Sequence, residues 1–149
     1  MADSTRMIGT RGAMEVYGKL LQEGLKVYVP LTYTGYDCIV KSDAGKHIDI
    51  EIKTRTEGGQ NFIVDNFENR DDFFIICHIL SSEDYWVLPS FIYAKNSTSQ
   101  KGGQLLVLSN TKKKVLNEYD RAFFLLRDFG KNSRVKDIKA PVKRQKSLN

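Results

Sequence analysis

The chain has 149 residues, two cysteines, and 41% hydrophobic and 28% charged side chains. That length suits one domain with a buried core, and the composition is that of a soluble globular protein rather than a disulfide scaffold or a disordered chain. No apolar run approaches the ~20 residues that span a bilayer, and Met1 to Gly12 lacks the apolar stretch of a secretion signal, so a cytoplasmic protein is expected. The net charge of +5 conceals a division: residues 1–94 hold 9 Lys and Arg against 14 Asp and Glu, a net of −5, whereas residues 95–149 hold 14 against 4, a net of +10. An acidic part able to hold cations, followed by a basic part able to meet phosphates, suits a protein that acts on nucleic acid.

In chain order, apolar residues at helical spacing (Met14, Tyr17, Leu20, Leu21) predict a helix from Thr10, as N-cap, to Gly24, as C-terminal stop. Lys26 to Pro30 and Tyr36 to Lys41 read as two strands, separated by a turn around Thr34-Gly35. Ser42-Asp43-Ala44-Gly45 is turn chemistry, and His47 to Lys53 then alternates strictly, isoleucines on one face and charges on the other. Thr54 to Gln60 reads as a loop, Asn61 to Val64 as a short strand, and Phe73 to Leu80 as a central strand covered on both faces, paired with Tyr85 to Leu88. A short helix is expected from Pro89-Ser90 to Ala94, a loop over Asn96 to Gly103, and a strand over Leu105 to Leu108. Glu118 to Phe129 carries apolar residues at 119, 122, 123, 126 and 129, the pattern of an amphipathic helix stopped by Gly130. From Lys131 onward seven basic residues face Asp137 alone, which reads as a mobile basic tail. The element order predicts an α/β or α+β single domain with a mixed sheet.

Cys38 and Cys77 sit inside apolar strand-like runs, where a cysteine behaves as a small hydrophobe. With His47 and His78 they show no CxxC or HxxxH spacing of a zinc site, so core cysteines and incidental histidines are expected. Tyr85 and Trp86 read as core or partner-facing aromatics.

Chemistry concentrates on the alternating strand. Asp49, Glu51 and Lys53 share one face, and a hairpin closed by Ser42 to Lys46 sets Asp37 opposite roughly 50 to 52. Two carboxylates held together repel unless a cation relieves them, and hard Mg²⁺ or Mn²⁺ prefers such oxygens. An adjacent ammonium stabilises the negative charge that develops when water attacks a phosphodiester.

Asp37, a spacer of thirteen residues, then Glu51-Ile52-Lys53 resembles the PD-(D/E)XK nuclease superfamily. Upstream, Gly12-Ala13-Met14-Glu15 followed by Leu20, Leu21, Gly24 and Val27 is similar to that superfamily's first helix, although Tyr36 stands where a proline often precedes the aspartate. The resemblance implies a restriction-endonuclease-like α/β domain over residues 1–130, a mixed central β-sheet flanked by helices, with residues 131–149 as the tail. It implies that Asp37 and Glu51, with the Ile52 carbonyl, ligate Mg²⁺ (or Mn²⁺), that Lys53 positions the water, and that Glu15 supports them. Asp49, nearer the turn, ranks below Glu51 as a ligand, and Thr54 and Gln60 fall where polar site neighbours often lie. Lys112, Lys113, Lys114, Lys143 and Arg144 are expected to contact phosphates. The expected activity is metal-dependent endonucleolytic hydrolysis of DNA, with a catalytically inactive nucleic-acid-binding module of the same fold as the alternative. The apolar positions of the last helix are expected to serve a homodimer.

Overall fold

In the computed structural model, which describes residues 4–32, 34–56, 61–80 and 82–131, the first helix, α1 (Thr5–Gln22), starts earlier than its apolar periodicity indicates. Ser4 is the cap, its hydroxyl accepting from the Met7 N–H at 3.2 Å. Thr10, the expected cap, lies inside the helix and donates to the Arg6 carbonyl at 3.0 Å. The first two turns are largely exposed, so no apolar stripe marks them. At the other end Gly24, at φ +83°, supplies the left-handed residue that ends the helix.

Seven of the eight strands follow the expected order: β1 (Lys26–Tyr28), β2 (Cys38–Lys41), β3 (His47–Arg55), β4 (Asn61–Asp65), β5 (Phe73–Ile79), β6 (Asp84–Pro89) and, after a short α2 (Ser90–Asn96) and the additional β7 (Thr98–Gln100), β8 (Gly103–Val107). The central sheet has the order β1-β2-β3-β5-β6 and is mixed: β3 and β5 run parallel, and the other neighbours are antiparallel. A second, antiparallel sheet has the order β4-β8-β7. Two expected loops are corrected here. β3 continues through Thr54 and Arg55, because β5 pairs with it as far as Ile79. The stretch expected as a loop over Asn96 to Gly103 folds into the β7–β8 hairpin, turned by Gly102 at φ +87°.

The central sheet separates two cores. On one face Ile48, Ile50, Ile52, Phe74 and Ile76 pack with Val16 and Leu20 of α1. On the other, Ile75, Cys77 and Leu88 pack with Phe62 and Leu106 of the second sheet and with Tyr93. Every residue of β5 is buried, as its unbroken apolar run predicts. Full burial of each aliphatic side chain contributes about 1.5–3 kcal/mol. Cys38 and Cys77 are both buried and fall in opposite cores. Helix and sheet approach closely at Gly12, where a Cβ would collide with the Thr54 side chain.

The long helix expected over Glu118 to Phe129 is not formed. In its place are α3 (Asn110–Val115), a 3₁₀ turn (Asn117–Tyr119) and α4 (Phe124–Arg127). The reason is backbone pairing with β6: Asp120 bridges to Trp86, and the Arg121 N–H donates to the Tyr85 carbonyl at 2.6 Å with Arg121 at φ +54°. A left-handed residue interrupts any α-helix. Of the apolar side chains responsible for the periodicity, Ala122, Phe123 and Leu126 are buried in the chain's own core and Tyr119 and Phe129 pack against it, which removes the basis for assigning them to a homodimer. Among the described residues no helix is long and apolar enough to cross a membrane.

Candidate active site

β2 begins at Cys38, paired with Ile50, and Asp37 directly precedes it. The Asp37 N–H donates to the Ile50 carbonyl at 2.8 Å, and one carboxylate oxygen of Asp37 accepts from the Ile52 N–H at 2.7 Å. Two bonds thus clip Asp37 onto β3 where the β2 ladder ends. Its carbonyl also accepts from the Tyr17 hydroxyl at 3.4 Å; burial first, then the neighbouring Cys38 and Asp37, push Tyr17 up to about 12, so it stays a donor.

Glu51 and Lys53 lie on the face of β3 opposite the buried isoleucines, beside Ile75 and Cys77 of β5. Lys53 Nζ is 3.3 Å from Glu51 Oε2, and the Glu51 side chain is only 16% exposed. Burial first, and then Asp37, push the Glu51 carboxyl up to about 7, with Lys53 pulling against both. The three groups expected to meet do meet: two carboxylates whose repulsion one ammonium leaves unrelieved.

The other expected members go elsewhere. Asp49 is held by Arg70 at 2.7 Å, and Arg70 also grips Asp72 at 2.6 Å, so Asp49 is neutralised away from Glu51. Glu15 is not part of the cluster and is corrected accordingly: it lies on the α1 side of the sheet, with Oε1 3.1 Å from Nε2 of the fully buried His78. The other ring nitrogen, Nδ1, is 3.0 Å from the Asp84 carbonyl, which accepts from it. His78, expected to be incidental, therefore ties α1 to β5 and β6. Thr54 points to the α1 face under Gly12, its hydroxyl buried and without a hydrogen-bond partner among the described residues. Gln60, Lys143 and Arg144 lie outside the described residues.

Lys112, Lys113 and Lys114 are all on α3. Lys113 sits 5.7 Å above the ring of the buried Trp86, and Lys112 Nζ donates to Asn96 Oδ1 at 3.4 Å, which leaves Lys114 the most outward of the three. This helix lies over β6, on the second-core side of the sheet that also carries Glu51.

A mixed five-stranded sheet with a first helix on one face is the restriction-endonuclease-like fold, and solved structures similar to this chain share it. One is a bacterial homing endonuclease, I-Ssp6803I, with a TM-score of 0.57 at 20% identity, covering 83% of this chain and 93% of that one. Another is Hjc, a Holliday junction resolvase from the archaeal hyperthermophile Archaeoglobus fulgidus, with a TM-score of 0.52 at 10% identity, covering 73% and 95%. By sequence the chain matches no protein-family model and no curated protein.

Proposed function

We propose that this protein is a divalent-metal-dependent endonuclease hydrolysing phosphodiester bonds in DNA. The observation that carries the reading is the convergence of Asp37, Glu51 and Lys53 at one end of the β2–β3 hairpin, with Glu51 held up to about 7 by burial and by Asp37. It is supported by the fold shared with a homing endonuclease and a junction resolvase, and by the net +10 of residues 95–149.

Among the described residues no three His, Cys, Asp or Glu side chains gather as a metal cluster. The donor set nevertheless fits Mg²⁺ or Mn²⁺: such ions are commonly held by one or two carboxylates, with carbonyls, waters and substrate phosphate completing the shell. Asp37, Glu51 and the Ile52 carbonyl, which lies beyond the last β2–β3 ladder bond, are the groups that would hold it. The ion would polarise a phosphoryl oxygen and lower the pKa of a bound water. Asp37 is pre-positioned for this by the Ile52 N–H. Lys53 places a positive charge where the attacked phosphate becomes more negative.

The test is incubation of the full chain with supercoiled, linear and branched DNA in Mg²⁺ or Mn²⁺. Cleavage that EDTA stops and that Asp37→Ala abolishes is the expected result; wild-type protein that binds DNA but cuts none of the three forms would identify a binding module instead. Because Glu15 bonds His78 rather than the carboxylate pair, Glu15→Ala is expected to keep the cleavage rate within severalfold of wild type. The same change should lower stability by about 1–3 kcal/mol, since it leaves a buried ring nitrogen unsatisfied. Thermal melting and the cleavage rate, measured on one preparation, separate the two effects.

A further inference from the structure

β3 runs past the end of β2, from Glu51 to Arg55, and among the described residues this overhang has no strand partner on its β2 side. The first turns of α1 and the start of β4 flank it, leaving a cleft of about 610 Å³ whose lining includes Thr5, Ile8, Lys53, Arg55, Thr56 and Asn61. Strand alternation puts Arg55 on the same face as Glu51 and Lys53, so the three side chains form a row. Neighbours in such a row are about 6.6 Å apart, close to the spacing of successive phosphates along a nucleic-acid strand.

Arg55 also differs from Arg70, Arg121 and Arg127. Arg70 is held by Asp49 and Asp72, Arg127 by Glu23, and Arg121 by the Glu83 carbonyl. Arg55 is exposed and has no ion-pair or side-chain hydrogen-bond partner among the described residues. An exposed guanidinium on the lip of this cleft, one strand repeat beyond the lysine of the carboxylate site, has the planar two-pronged geometry that phosphate recognition favours.

We propose that Arg55 binds the phosphate adjacent to the one attacked and so holds the flanking nucleic-acid strand in the cleft, while Lys53 faces the reacting phosphate. The inference rests on the nuclease reading of the carboxylate site, and it adds a residue that contacts substrate without touching the reacting atoms.

The experiment measures anisotropy of a fluorescein-labelled oligonucleotide duplex, and of its single strand, titrated with the full-length protein in Ca²⁺ at several salt concentrations, beside cleavage rates in Mg²⁺. Arg55→Ala is expected to weaken binding roughly tenfold, as for loss of one charge-assisted hydrogen-bonding contact. The slope of log affinity against log salt should fall by about 0.9, the signature of one phosphate lost from the interface. Arg55→Lys should recover most of that slope, and the rate at saturating DNA should stay near wild type for both variants. A neutral methylphosphonate at the phosphate next to the cleaved bond should weaken wild type but cost Arg55→Ala nothing more. Equal affinity and slope for wild type and Arg55→Ala, or an equal methylphosphonate penalty in both, would overturn the assignment while cleavage of DNA by wild type left the nuclease reading standing. If wild type neither binds nor cuts DNA, both fall.

Discussion

Lys53→Ala is expected to reduce cleavage at saturating DNA by roughly 10²–10³-fold, the usual loss when one preorganised charge facing the transition state is removed, while affinity for DNA changes little. The split follows from where the ammonium sits. It is held at 3.3 Å by Glu51 beside the half-buried carboxylate pair, so its charge acts on the reacting phosphate more than on the flanking strand. Single-turnover cleavage measured alongside anisotropy distinguishes this from a general phosphate contact: if rate constant and affinity fall together and the rate is restored by more DNA, Lys53 is only a binding residue. Arg55→Ala is the natural comparison, because it should show the opposite division between binding and rate.

The second large effect is on stability. Glu51 has an ordinary carboxylate pKa of 4.5 when unfolded and is raised to about 7 in the fold, first by burial and then by Asp37. For a group raised on folding, the stability it contributes is complete below the unfolded value and is lost as pH climbs through the folded one. Metal-free protein should therefore lose stability between pH 4.5 and about 7, by an amount on the order of 3 kcal/mol for a shift of this size. Glu51→Gln removes the titrating group, so its melting profile should be flatter across that interval and its melting temperature at pH 8 higher than wild type by roughly 10 °C. Mg²⁺ or Mn²⁺ should raise the melting temperature of wild type at pH 8 and leave Glu51→Gln nearly unchanged, since binding to the folded state alone stabilises by mass action. Parallel pH profiles for the two proteins would mean that Glu51 is not held as described. An equal metal response would mean that the ion binds elsewhere.

These two expectations concern residues that were legible without coordinates, and the reason is local. Asp37, Glu51 and Lys53 belong to one hairpin, whose turn sets the register and whose period of two decides which side chains share a face. Cys38 pairs with Ile50 as the turn requires, and Asp37 reaches the Ile52 N–H as a consequence. The doubly buried β5 was equally plain, because an unbroken apolar run has no solvated face to offer. Arg55 could have been found by continuing the alternation two residues past Lys53; the polar residues that follow hid the strand's true end.

What the chain could not reveal on its own was the choice of partner across long separations. Asp49 and Glu51 are alike in sequence, both acidic and on one face of one strand, yet Arg70, 21 residues away, takes Asp49 and leaves Glu51 beside Asp37. Glu15 resembles a site residue by its place on the first helix, yet His78, 63 positions later, draws it to the other side of the sheet. The periodicity from Glu118 to Phe129 was real but did not mean a helix, because backbone bonds to β6 satisfied that segment in another conformation while its apolar side chains still reached the core. The sequence by itself therefore determined the hairpin, its charged face and the three groups at its end, since alternation and turn closure are short-range backbone geometry. The tertiary structure alone decided which acids remain available to a cation, since that depends on which distant cations packing brings within hydrogen-bonding distance.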